Sequence, residues 1–215
     1  MFPANKITPV SAALVLSVSV ILMLTAYAVI NPSTPPVELQ GVLRPDYKLL
    51  QPVELVDHDS IPFSDKRFIG KWSIVFFGFL SCPDVCPNTL HVLNSVQRRL
   101  KREIKDTEAD IQVVFVSVDP ARDTTKKIGE YIDFFNSGFI GVTGIKAEID
   151  NLAQQFNAGY IIEEENHSGQ YNVAHTSALF LVDPQGRLVA SFSQPHYAEI
   201  ISTQYIKIVE YLKNG

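Results

Sequence analysis

Cys82 and Cys86 are the only cysteines in 215 residues, and they stand four apart in Phe76-Phe77-Gly78-Phe79-Leu80-Ser81-Cys82-Pro83-Asp84-Val85-Cys86-Pro87. A thiolate is both a nucleophile and a soft metal ligand, so the pair points to disulfide exchange or to soft-metal binding. Thioredoxin-type redox motifs leave two residues between their cysteines, and here three intervene. The added residue does not forbid a disulfide, but it gives both thiolates room on one ion. Such a pair selects Cu(I), Zn(II) or iron–sulfur clusters. Two cysteines are too few for a structural zinc site or a cluster, so a metal would need a third ligand from elsewhere in the chain.

The elements that must hold the pair can be read from apolar patterning. Ile74 to Leu80 is an apolar, aromatic run of buried-strand type, and Ile111 to Val118 is a second. After Cys86, the residues Leu90, Leu93, Val96, Leu100 and Ile104 recur at spacings of three and four, with Arg98, Arg99, Lys101 and Arg102 mostly on the other side. That pattern predicts an amphipathic helix, with Pro87 in its first position, where a missing N–H costs nothing. The cysteines therefore sit between a core strand and a helix N-terminus, whose amides and dipole favour a thiolate.

Gln51 to Val56 reads as a short strand, Asp57 to Ser60 as a turn and Ile61 to Phe63 as a short return. Asp123 is the expected N-cap of a helix reaching about Phe135, and Thr143 that of another with Ile145, Ile149, Leu152 and Phe156 as its stripe. Tyr160 to Ile162 reads as a strand, followed by a polar insertion from Glu163 to Asn172. Ser177 to Asp183 and Arg187 to Phe192 form a hairpin about Pro184-Gln185-Gly186, and Tyr197 to Leu212 closes the chain as a helix. Central parallel strands with covering helices and then an antiparallel hairpin predict an α/β, thioredoxin-like fold: a mixed sheet flanked by helices.

Of the five histidines, four invite ordinary readings. His58 sits in a polar turn as a solvated loop residue. His91, five residues beyond Cys86, is turned away from that thiol on a helix and belongs to the surface or the core edge. His167 lies in the polar insertion near Glu163 to Glu165, a set that could gather a divalent ion but reads better as a charged loop. His196 follows Pro195 as a cap or surface residue. His175 differs, because it directly precedes the strand Thr176 to Asp183, where thioredoxin-like folds bring a segment against the active-site cysteines. A histidine there is more often structural, but opposite a cysteine pair it is read as a metal ligand.

Val10 to Ile30 carries no charge over 21 residues, long enough to cross a bilayer as a helix. Lys6 precedes it and no basic residue follows until Arg44, so the positive-inside bias leaves the N-terminus cytoplasmic. The expected plan is a cytoplasmic N-terminus (1–9), a transmembrane anchor (10–30), a Pro-rich tether (31–45) and the folded domain (46–215). Ala26-Tyr27-Ala28 has the small-x-small form of a signal-peptide site, so a cleaved leader is the alternative. Both readings export the domain to an oxidising compartment, the periplasm or its equivalent, and the first makes it single-pass in the inner (cytoplasmic) membrane. Lys6 is the only charged side chain before Glu38, which leaves 17 basic against 23 acidic side chains beyond it, a net −6. That balance argues against nucleic acid as a partner.

The cysteine motif, Val116-Ser117-Val118-Asp119-Pro120-Ala121-Arg122-Asp123-Thr124 and His175-Thr176-Ser177-Ala178-Leu179-Phe180-Leu181-Val182-Asp183-Pro184-Gln185-Gly186 together resemble the signatures of the Sco/SenC family, over roughly residues 46 to 213. The resemblance implies a copper chaperone with a thioredoxin-like fold that helps assemble the binuclear CuA site of cytochrome c oxidase subunit II. It implies Cys82, Cys86 and His175 as ligands to Cu(I), and to Cu(II) with a further ligand. A periplasmic copper donor and a thiol reductant are implied as further partners. Asp84, Asp119 and Asp123 match family positions; the latter two are read first as turn and capping residues, then as residues tuning the metal. The alternatives are a thiol–disulfide oxidoreductase using Cys82 and Cys86 as its redox pair, and a copper or redox sensor.

Overall fold

The computed structural model describes residues 9–30, 35–105, 110–166 and 171–214. Helix α1 runs from Pro9 to Ile30, and the side chains described on it, from 13 to 25, are all exposed. Among the described residues, no helix is long and apolar enough to cross a membrane.

The domain is built on an eight-stranded sheet. Its strands are β1 (Leu43–Leu49), β2 (Leu55–Asp57), β3 (Pro62–Phe63), β4 (Ser73–Gly78), β5 (Gln112–Ser117), β6 (Ile140–Thr143), β9 (Leu179–Val182) and β10 (Arg187–Phe192), in spatial order β1-β10-β9-β4-β5-β6-β2-β3. β4, β5 and β6 are parallel, and β9 lies antiparallel on the other side of β4. The two remaining strands, β7 (Tyr160–Ile162) and β8 (Val173–His175), pair only with each other, with Tyr160 opposite His175.

Every residue of β4 and β5 is buried, because both sheet faces are covered. Successive side chains alternate between two cores. Ile74, Phe76, Val113 and Phe115 meet α2 (Val85–Glu103), α3 (Thr125–Phe135) and α5 (Ala198–Asn214). Val75, Phe77, Val114 and Val116 meet α4 (Lys146–Phe156). Each such side chain contributes about 1.5–3 kcal/mol by leaving water, so the two central strands are the rigid floor under the cysteine loop.

The apolar stripe of α2 is seated as its spacing predicts: Leu90, Leu93, Val96 and Leu100 are all fully buried. Several boundaries differ from expectation. The helix starts at Val85, with Asp84 in the N-cap position, so Pro87 is its third residue, where an N–H is still unneeded. Thr124 caps α3 by accepting from the Lys127 N–H, and Asp123 turns inward instead. Thr143 closes β6, and Ile145 stands at the N-cap of α4 without a side-chain cap.

The tether is shorter than it reads. Leu39, in a 3₁₀ turn at Val37–Leu39, is fully buried in the core shared with α5, and β1 takes in Leu43 to Pro45. β1 alternates apolar and polar residues from Leu43 to Leu49, but as the edge strand of the sheet it leaves Tyr47 and Leu49 exposed. His58 is half-buried, accepting the Gly141 N–H on Nδ1 at 3.2 Å, rather than solvated. His167 lies outside the described residues.

Candidate metal centre

Cys82 lies in the loop leaving β4, and Cys86 in the first turn of α2. His175 is the last residue of β8. These three come from places far apart in sequence, and their Sγ, Sγ and imidazole nitrogen atoms lie within 4.8 Å of one another. Among the described residues they are the sole group of three metal-ligating side chains so disposed. Metal–sulfur bonds near 2.3 Å and metal–nitrogen bonds near 2.0 Å put two ligands on one ion about 4–4.6 Å apart at most, so a shift of a few tenths of an ångström closes the set on an ion.

The thiols differ. Cys86 is 0 % exposed, and that burial pushes its thiol well above the ordinary value against the opposing hydrogen bond from the Phe79 backbone. Cys82 is half-exposed, and its sulfur accepts the Cys86 N–H at 3.4 Å. That amide is one of the donors a helix N-terminus leaves unpaired, so the helix itself holds the first sulfur.

Gly78 makes room for the second. A Cβ there would stand 2.8 Å from the Cys86 Sγ and 2.8 Å from Phe115 Cε2, inside contact distance of both. A glycine within a fully buried strand signals such a close approach, and this one is the mark in the sequence that could have singled it out.

The His175 ring is locked on three sides. Nδ1 meets the Thr176 carbonyl oxygen at 2.9 Å; as donor there it leaves the Nε2 lone pair facing Cys86 Sγ, 3.7 Å away. Phe79 packs edge-on at 5.7 Å and Phe76 at 6.1 Å between centroids. Two aromatic walls and a fixed tautomer make the imidazole a ready ligand.

The acidic residues of the motifs serve the scaffold. Asp84 accepts from Asn88 Nδ2 at 2.6 Å on the exposed start of α2. Asp123, 2 % exposed, accepts the Leu80 N–H at 3.0 Å and the Ser117 hydroxyl at 2.6 Å; burial, outweighing those bonds, pushes its carboxyl upward. It thus pins the start of the cysteine loop to the end of β5. Asp119 accepts from Arg122 Nε with one oxygen and from the Tyr171 hydroxyl at 2.7 Å with the other. Arg122 lies 3.6 Å from the centroid of the Tyr171 ring and donates from Nη1 to the Tyr171 carbonyl at 3.0 Å. Neither Tyr171 nor this role of Arg122 is signalled by pattern, because it joins segments 49 residues apart. Tyr131 approaches from α3 with a buried hydroxyl that has no hydrogen-bond partner among the described residues, and burial above all pushes it upward.

The other described histidines stay apart from this cluster. His91 is exposed against Phe135, and His196 is half-buried with Nε2 3.3 Å from the Phe192 carbonyl oxygen. Burial holds His196 below its ordinary value.

A protein-family model described as SCO1/SenC matches residues 43–210. A protein of Stutzerimonas stutzeri named for copper binding is 36% identical over 155 residues, covering 72% of this chain and 74% of its own length. An SCO2-like protein of Rickettsia prowazekii is 32% identical over 192 residues, covering 87% of this chain and 88% of its own. Among solved structures, Arabidopsis thaliana ScoI with copper bound superposes with a TM-score of 0.69 at 30% identity, over 78% of this chain and all of that one.

Proposed function

This chain belongs to the SCO1/SenC family, and we propose that it is a membrane-anchored copper chaperone that holds one copper ion on Cys82, Cys86 and His175. The observation that carries this reading is the convergence of two thiols and one imidazole within 4.8 Å at the mouth of the loop after β4. The copper bound by the similar Arabidopsis protein supports the same metal here. Two thiolates and an imidazole make a soft, low-coordinate donor set that suits Cu(I). Cu(II) is held with one further ligand.

Loading expels the proton that burial keeps on Cys86, so capture is linked to proton release. Both thiols must be reduced to bind metal, which calls for a thiol reductant outside the cytoplasm, and a copper donor must meet the chain there. Delivery proceeds by ligand exchange: an incoming thiolate adds to the copper from the open Cys82 side, and the buried Cys86 is the last sulfur to let go. By family resemblance the recipient is the CuA site of cytochrome c oxidase subunit II.

The anchor is part of the proposal. Its support is the sequence, where Val10 to Ile30 carries no charge over 21 residues. Lys6 before it sets the domain on the outer side of the inner membrane.

A second reading, a thiol–disulfide oxidoreductase, is favoured by one observation. A half-exposed Cys82 backed by a buried Cys86 is the arrangement of an attacking and a resolving thiol. His175→Ala separates the two. It removes a copper ligand and leaves the dithiol. The chaperone reading expects Cu(I) affinity to fall by more than about a hundredfold, beyond the usual loss of an outer partner of a ligand, and oxidase assembly to fail with it. Thiol exchange rates, measured in parallel, should stay near wild type. Normal oxidase assembly by a His175→Ala protein that holds no copper would overturn the chaperone and leave the reductase.

A further inference from the structure

His175 sits on an element joined to the domain by side chains and not by the main sheet's ladder: Val173 is buried in the core under α4, with Tyr160, Ile162 and Tyr171 packed against it. β7 and β8 form a two-stranded sheet outside the main one, and isolated hairpins of this size are marginal in water. Its β7 end is tied to α4 through Tyr160, whose hydroxyl donates to Asp150 at 2.5 Å, and the Thr176 N–H closes the open end of the hairpin on the Gly159 carbonyl at 2.8 Å. The lead-in to β8 at Tyr171 is held by Arg122.

That guanidinium stacks on the Tyr171 ring, bonds its carbonyl and pairs with Asp119, whose second oxygen takes the Tyr171 hydroxyl. Asp119 is 0 % exposed and so presents one fixed orientation to Arg122. The same guanidinium lies 6.0 Å from the centroid of Phe79, the ring that walls His175 at 5.7 Å. Arg122 therefore reaches the imidazole by two routes, through the strand that bears it and through the aromatic that packs on it, without touching it.

We propose that Arg122 is a positioning residue for the third copper ligand: it sets how tightly the site keeps copper by holding His175 opposite Cys86. This rests on the copper reading above. A planar five-donor group is needed to stack on Tyr171 while bonding both its carbonyl and Asp119, and lysine cannot do all three.

The test uses the full chain in detergent, with Cu(I) affinity measured by competition against a chromophoric chelator. Arg122→Gln should weaken Cu(I) binding by about tenfold, the low end for loss of an outer partner of a metal ligand. Combined with His175→Ala it should weaken binding no further, since two changes acting through one contact are not additive. Arg122→Lys keeps the charge beside Asp119, protects folding if the glutamine variant fails, and should weaken binding as Arg122→Gln does. In the metal-free protein, amide hydrogen exchange over 171–175 should quicken in both Arg122 variants while the amides of α2 keep their protection.

Equal weakening with and without His175 would make the arginine a general stabiliser and overturn the inference. So would wild-type affinity in Arg122→Lys, or unchanged exchange over 171–175. Failure of the unaltered chain to bind Cu(I) overturns the copper reading instead, and the exchange measurement then decides the positioning role alone.

Discussion

Cys82 is half-exposed and takes the amide hydrogen of Cys86, whereas Cys86 is fully buried, its sulfur close against Gly78. Alkylating reagents attack thiolates, so both access and proton affinity favour the first sulfur. Iodoacetamide added to the metal-free, reduced protein at neutral pH should label Cys82 faster than Cys86 by at least about tenfold. Peptide mapping by mass spectrometry over a time course reads the order directly. The sign with pH follows from the burial of Cys86: its thiol is pushed upward, so its labelling should gain only well above neutral pH, where alkali begins to deprotonate it. Faster labelling of Cys86 would mean that the loop leaving β4 opens readily, and the division into an entry sulfur and a retaining sulfur would be lost.

Elements show what a pattern can carry and where it stops. The buried strands β4 and β5 were legible as unbroken apolar runs, the stripe of α2 by its 3.6-residue period, and the hairpin β9–β10 by two apolar runs about a Pro-Gln-Gly turn. β6 was not legible, since Ile140 to Thr143 is four residues long and includes Gly141, whose missing side chain lets Ile128 press against the strand. β8 was hidden for a similar reason: three residues, one of them exposed, give no period. Asp123 was misread as a cap because an Asp-Thr pair offers two caps, and the buried Ser117 hydroxyl and Leu80 N–H decide for the second. The cysteine pair and His175 could be picked out, but the clamp of Arg122 on Tyr171 could not, because contacts across 49 residues leave no local trace. The close approach of β4 to α2 is testable by one methyl group. Gly78→Ala should cost about 1–3 kcal/mol through overpacking against Phe115 and Cys86. For a domain of this size that lowers the unfolding midpoint by about 2–4 °C per kcal/mol, measured on metal-free protein. Gly159→Ala, where an added Cβ meets nothing within 4 Å, is the control and should shift it far less.

For the molecule as a whole, the site and the proposed anchor impose one geometry on each other. The three proposed ligand atoms lie on the loop after β4, the first turn of α2 and the end of β8, and on the proposed reading copper enters and leaves there. On the proposed reading the thiols must stay reduced in an exported compartment, so the domain works best near both reductant and recipient, and the proposed anchor would confine it to the surface where a membrane oxidase is assembled. The segment between Ile30 and Leu39 sets its reach, because Leu39 is already buried in the domain and β1 begins at Leu43. Nine residues span at most about 30 Å when extended, less than the tether to Pro45 that prolines alone suggest. Protease added to intact spheroplasts should therefore digest the domain while leaving a short membrane-held fragment ending near Leu39, and alkaline carbonate should leave the uncut protein in the membrane. A mature protein that begins near Val29 and washes off with carbonate would show that Ala26-Tyr27-Ala28 is cleaved. The copper site would then act from solution, and the confinement argued here would have to come from a partner.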